Sequence, residues 1–330
     1  MYYLLGISIT LAFLLIVNMT VAVAASLIWR AISGFAGTVS VGTRAKIIFG
    51  LRTLPIAAAL IFVLAFIVPA YLLHEPEESG EVVSTKLALV AVLCAVGVAI
   101  AVFRVVQTWL STQRLMRNWL SNSTRIDIEG VDLPIHRISH QFPVLAVVGI
   151  FRPKIFVAEI VLASLADNEL RAAIAHEYGH LRGRDNLKRT ILRICRDLVI
   201  LPIGNGLDLA WAQNAEAVAD EFAACEGNQK ALDLASALVK ITRIVPTGSS
   251  PSLPVGAYII TDREGDIASR VRRLLNLSEG FAEVSRSRRI ALPSYALSVG
   301  ITLLLVLHLT DRRLLLATHE AIEHFVWIIQ

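Results

Sequence analysis

The sequence predicts an α-helical membrane protein with four transmembrane helices and an α+β domain inserted between the third and the fourth. Composition is the first reason. Of 330 residues, 55% are hydrophobic and the mean hydropathy is +0.63, values that a soluble domain of this size rarely shows. The second reason is a set of four long apolar runs. The third is the segment between the last two runs, where short β-branched stretches give way to helical periodicity.

Residues 1–29 carry no charge. The run lacks a basic flank on its amino-terminal side and is too long for a signal peptide, so it reads as a retained helix, at about 3–29. Arg30, Arg44, Lys46 and Arg52 follow with no acid between them. The second run, 54–73, is long enough to cross ~30 Å of hydrocarbon, with Pro55 and Pro69 near its ends. Glu75, Glu77, Glu78 and Glu81 form an acidic loop before the third run, at about 87–108, which is flanked by Arg114 and Arg117. Arg286, Arg288 and Arg289 precede the fourth, 290–310. The positive-inside rule then puts residues 111–289 in the cytoplasm and the amino terminus outside. Residues 311–330 are left as a short amphipathic tail.

Charge and cysteine content exclude other classes. Lysine and arginine exceed acids by only 31 to 27, and they gather beside apolar runs, which argues against direct nucleic-acid binding. Cys94, Cys195 and Cys225 are odd in number and far apart, so neither a disulfide framework nor a cysteine metal site is expected.

In the inserted segment, 124–128, 135–138, 144–148 and 154–157 read as strands punctuated by Gly130, Pro134, Pro143, Gly149 and Pro153. His136 and His140 fall here without a partner at ligand spacing and are assigned structural roles. A helix follows, with Ser164 and Asp167 as a start signal and Leu165, Leu170, Ile174 and Leu181 as its apolar side.

That helix carries His176-Glu177-Tyr-Gly-His180. At ~100° per residue the two histidines lie one turn apart on one face, with Glu177 beside them. Neutral imidazoles suit zinc, and a neighbouring carboxylate can take a proton from water as it attacks a carbonyl. Two histidines leave the site one protein ligand short. The next helix, read as 208–225, offers Glu216 as that ligand. Asp220, one turn on, is placed to fix the tautomer of a ligating histidine. Between these helices, 187–203 is amphipathic, and its basic face, with Arg182, Arg189, Arg193 and Arg196, is expected to meet solvent or anionic headgroups. Residues 246–256 read as a loop. A last helix begins near Thr261 and Glu264, with Ile267, Val271, Leu274 and Leu275 as a core stripe.

Pro153-Lys-Ile-Phe-Val, the run from Leu165 to Ala175, His176-Glu-Tyr-Gly-His180-Leu-Arg-Gly-Arg-Asp185 and Glu216-Ala-Val-Ala-Asp220 resemble the BlaR/MecR-type membrane zinc metallopeptidases. The resemblance implies a gluzincin-like fold, one Zn2+ held by His176, His180 and Glu216, and Glu177 as general base. Asp185 matches a family aspartate taken as structural. It further implies a multi-pass protein of a bacterial-type inner membrane that cleaves a protein or peptide substrate, a transcriptional repressor being the family's usual one. After the fourth run about twenty residues remain, without a Ser-x-x-Lys motif, so direct β-lactam sensing is not expected. An HtpX-like or CAAX-type membrane protease is the alternative enzyme, and a transducer or scaffold with a vestigial motif is the non-enzymatic one.

Two further readings complete the sequence. His319 and His324 imitate a zinc motif, but five residues put them ~140° apart on a helix. The tail from 317 to 329 is read as an interfacial helix, with Phe325 and Trp327 as headgroup anchors. The sheet between Pro143 and Val157 is expected to offer an edge to substrate; no spacing singles out a residue for the oxyanion, Tyr258 being one candidate among others.

Overall fold

The computed structural model describes residues 2–34, 39–75, 83–128, 131–199, 202–225, 227–245, 264–279 and 311–329. The fourth apolar run, the 246–256 loop, Thr261 and Tyr258 lie outside them.

Among the described residues, three helices are long and apolar enough to cross a membrane: α1 (Tyr2–Ile32), α2 (Val41–His74) and α3 (Thr85–Ser121). Two of them overrun the uncharged stretches that announce them. α2 begins thirteen residues before Leu54, because Arg52 is buried against Asp208 instead of marking a flank. A wide π turn spans Val63–Ile67. Pro69 lacks an N–H and crowds the carbonyl one turn back, which loosens the ladder there. α3 is 37 residues long, about 55 Å at 1.5 Å per residue. It overshoots the hydrocarbon, and its overhang puts Met116 and Trp119 into the core of the sheet.

The sheet has four strands in the order β1 (Ser123–Ile128), β2 (Val131–Ile138), β4 (Lys154–Ala158), β3 (Leu145–Val148). β2 and β4 run parallel and the other two pairs antiparallel, leaving β3 at an edge. All four β3 residues are buried, so this edge faces protein.

Helices α4 (Glu159–Ser164), α5 (Asp167–Gly183), α6 (Asp185–Asp197), α7 (Asn205–Ala224), α8 (Asn228–Ile244) and α9 (Glu264–Ser278) follow. Ser164 ends α4, its hydroxyl donating to the Ile160 carbonyl at 2.6 Å, and so does not start α5. That start is at Ala166, whose N–H the Glu169 carboxylate accepts at 2.8 Å. Leu170, Ala173 and Ile174 press α5 onto β3 and β4 in one core cluster. In α9, Leu274 is fully buried, but Leu275 of the expected stripe is 43% exposed.

The last helix, α10 (Arg312–Ile329), lies at the other end of the bundle. Ile322 and Val326 pack with Leu5, Ile9 and Tyr71. Phe325 packs against Phe13 with its ring tilted, centroids 4.6 Å apart, and is therefore a packing residue instead of a headgroup anchor.

Candidate metal centre

The expected pair of histidines sits on the buried face of α5, against α7. Their approach depends on Gly179, where a Cβ would meet Ala219 Cα of α7 at 3.1 Å. Small residues let two helix backbones come this close, and closeness carries Glu216 to the histidines. The Nε2 atoms of His176 and His180 are 3.1 Å apart. Glu216 Oε2 lies 3.5 Å from the first and 3.4 Å from the second.

This donor set fits zinc. Donors at ~2.0–2.2 Å from a tetrahedral ion stand about 3.3–3.6 Å apart, close to the spacings observed. Moreover, Glu216 Oε2 is buried without a hydrogen bond, although three nitrogens surround it within 3.5 Å. An acceptor so placed is oriented for a cation.

Each histidine is backed by its own carboxylate. Asp220 Oδ1 is 2.9 Å from His176 Nδ1, and Asp185 Oδ2 is 2.8 Å from His180 Nδ1. The hydrogen bond to Asp185 fixes the tautomer that leaves Nε2 of His180 as the ligand, whereas Asp220 stands beside His176 Nδ1 without a hydrogen bond. Asp185 reaches back because the chain reverses at Arg184, the one non-glycine residue with positive φ (+53°) among those described. Gly183 leaves room for it, since a Cβ there would meet Asp185 Oδ1 at 2.8 Å. The sequence marked Asp185 only as structural, and the structure places it on a candidate ligand.

Arginines balance the acids. Arg189 Nη2 is 3.1 Å from Glu216 Oε1, with a side chain only 10% exposed, so it belongs to the site and not to a solvated face. Arg193 likewise turns inward, donating to the Thr108 hydroxyl of α3 at 3.2 Å. From α9, Arg270 donates to Asp220 at 2.8 and 3.2 Å, and Arg273 at 2.6 Å. Arg270 Nη1 also stands 3.3 Å from Glu216 Oε2. Neither α9 arginine was singled out by sequence. The available signal was an arginine three residues after Ile267 and four before Leu274, on the apolar stripe itself.

These charges set the protonation of the metal-free cluster. Burial opposes a charge on His180, but Glu216, Asp185 and Glu177 outweigh it and push its pKa up to about 10. His176 moves upward as well, burial being overcome by Asp220 and Glu216. Burial also works against ionised Glu216 and Asp220. His180 and His176 hold the first well below the usual carboxylate range, and Arg270 with His176 does so for the second. Glu177 differs: burial pushes its pKa up, against the pull of His180 and His176. Its Oε2 accepts the Val147 N–H of β3 at 3.1 Å, which aims the carboxylate between the edge strand and the histidines.

The β3 edge is partly engaged. Asn186 donates to the carbonyls of Val147 and Gly149 at 2.9 and 3.0 Å, so the outward groups of Val147 already have internal partners. Beside them a cleft of about 320 Å³ is lined by Val147, Gly149, Phe151 and His180, among others. His136 and His140 stand elsewhere, one tilted against Phe156 and the other accepting the Phe142 N–H at 3.0 Å.

Residues 144–243 match the sequence model of Peptidase family M48. No curated protein gives a significant match to the chain. The matched stretch runs from the edge strand through α5 and α7 into α8, and so contains the donor set, its carboxylate supports and Glu177. With the apolar helices, the match supports a membrane metallopeptidase.

Proposed function

We propose that this chain is an integral membrane zinc metalloendopeptidase acting at the cytoplasmic face, in regulatory proteolysis of the kind that removes a transcriptional repressor. One observation carries the reading: two imidazole nitrogens and a carboxylate oxygen converge to 3.1–3.5 Å with a further buried carboxylate, Glu177, beside them. His176, His180 and Glu216 are the proposed ligands. Zinc held there supplies Lewis acidity, polarising a carbonyl and acidifying water. Glu177 takes the proton of the attacking water and passes it to the leaving amine. Its raised pKa strengthens it as a base. Val147 keeps it pointed at the cleft. Asp185 and Asp220 back the imidazoles, while the histidines with Arg270 keep Glu216 ionised and Arg189 holds its other oxygen. Substrate enters the cleft lined by Val147, Gly149, Phe151 and His180.

The four-span arrangement belongs to this reading. α9 lies at the metal centre and α10 at the far end of the bundle, an arrangement that supports it. A second reading, a quality-control or processing protease of the HtpX or CAAX type, draws on the match to M48 and on the packing of α7 against α2. That packing keeps the centre beside the bilayer, where a membrane-embedded substrate lies. Phe49 and Trp211 mark the contact, ring centroids 6.4 Å apart.

The test uses full-length protein in liposomes. Glu177→Gln retains about one zinc per chain and loses cleavage by at least 10²-fold, within the usual worth of a general base. Cleavage of a repressor encoded beside this chain supports the regulatory reading, and selective loss of misfolded membrane proteins supports the second. A Glu177→Gln protein that cleaves as well as the parent refutes both.

A further inference from the structure

At the end of the bundle far from the metal centre, the tail gathers a second set of donors. His319 and His324 cannot share an ion, but Glu323, one of the two glutamates between them, is in phase with the first. His319 and Glu323 stand one helical turn apart on α10, and Glu75, just past α2, comes to meet them. His319 Nε2 is 3.3 Å from Glu323 Oε1 and 3.9 Å from Glu75 Oε2. One donor atom from each of the three lies within 4.8 Å of the others.

The charges there do not balance. Among the described residues, the ion pairs of Glu75 and Glu323 both run to His319. A neutral imidazole compensates neither carboxylate, and an imidazolium compensates one. Solvent meets the charge of Glu323, whose side chain is 57% exposed, but that of Glu75, 7% exposed beside a His319 that is 6% exposed, is poorly solvated unless a cation stands there. The other ring nitrogen of His319, Nδ1, is buried with no hydrogen-bond partner among the described residues. No internal hydrogen bond on that side therefore accounts for the ring turning its Nε2 to the carboxylates. His74 stacks on the same ring, centroids 5.7 Å apart.

We infer that Glu75, His319 and Glu323 form a second site for a divalent transition metal, of the imidazole–carboxylate class that takes Zn2+ or Mn2+. The ion supplies the missing positive charge and ties the C-terminal helix to the end of α2. From Phe49, at the catalytic end, to Glu75 the helix rises about 40 Å, so the two centres are separate. The site makes metal availability at that membrane face a determinant of whether α10 is clamped to the bundle.

Tag-free, chelator-stripped full-length protein in detergent is titrated with Zn2+ and with Mn2+ in a His180→Ala background, which disables the first centre whether or not it binds zinc. The inference expects one remaining site, and a metal-dependent rise in the melting temperature. Glu323→Gln and His319→Ala each weaken binding by tenfold or more and abolish the rise. The exposed Glu323 is the informative position, since its amide preserves shape and fold. If the His180→Ala protein takes up no metal, or binds it equally with and without Glu323→Gln and His319→Ala, the cluster is a helix contact only and the inference fails.

Discussion

Replacing Asp185 with alanine separates a ligand-orienting role from a merely helical one. The carboxylate stands 2.8 Å from His180 Nδ1 with its side chain 10% exposed. It also occupies the first turn of α6, where a negative charge interacts favourably with the helix dipole. Loss of the dipole term alone costs about 0.3–1 kcal/mol of stability and leaves zinc affinity intact. Loss of an imidazole's outer partner typically weakens metal binding 10–100-fold, or about 1.4–2.8 kcal/mol at 1.4 kcal/mol per decade.

The structure favours the larger effect. Asp185's other ionic neighbour, Lys188 at 3.6 Å, has a side chain 37% exposed, so the substitution strands no buried charge and the loss falls on His180. Zinc affinity is read by chelator competition at fixed pH, with circular dichroism as a check on folding. Asp185→Ala is expected to bind 10–100-fold more weakly. Asp185→Asn, which keeps an acceptor in place, should sit nearer the parent. If Asp185→Ala bound zinc as tightly as the parent while Glu216→Ala did not bind, the assignment of Asp185 to the centre would be wrong.

Arg270→Met leaves Asp220 with Arg273 and Glu216 with Arg189, so it costs less than the about 3–5 kcal/mol of a buried pair broken outright; a metal-free melting temperature equal to the parent's would contradict it. In the metal-free protein, His180 has its pKa raised from 6.5 to about 10, so its stabilising contribution is complete below pH 6.5 and disappears as pH climbs towards 10. Thermal melts of chelated protein should fall across that window, whereas zinc affinity should rise through it with proton release, measurable by calorimetry in buffers of different ionisation enthalpy. Gly179→Val pushes α5 from the Ala219 backbone and is expected to weaken zinc binding at least tenfold, more than Gly179→Ala; equal affinities would show that the helix approach does not set the ligand geometry.

Much of this centre was legible because its parts repeat at local spacings. His176, Glu177 and His180 lie within five residues, and Glu216 and Asp220 share a turn of a second helix. What no local spacing encodes is the third layer of contact. Arg189, read from periodicity as part of a polar face, points into the interior because Glu216, 27 residues away, needs a counter-charge there. Arg270 and Arg273 arrive from a helix whose sequence shows only an apolar stripe interrupted by a cation. Likewise the His319–His324 spacing excludes a shared ion, but it cannot reveal Glu75 brought in from another helix.

The extents of the membrane helices, though not the apolar runs that mark them, were misjudged for a related reason. Uncharged runs mark where a helix can cross lipid, and a charge is read as the end of the run. Arg52 violates that reading: its side chain is 2% exposed, its Nε lies 2.8 Å from Asp208, and α2 continues past it to Val41. Asp208 opens α7, the helix that carries Glu216 two turns later. The same two helices meet again at Phe49 and Trp211. Asn18 of α1 donates to the Leu198 carbonyl at the end of α6 at 2.9 Å, deep among the membrane helices. The end of α6 is thus held by the bundle itself. A site tethered only at its ends could be arranged independently of the bilayer. Here the helix bearing Glu216 is fixed to a membrane helix through a buried ion pair, so a shift of α2 along the bilayer normal must be absorbed either by that pair or by the geometry of the donor set.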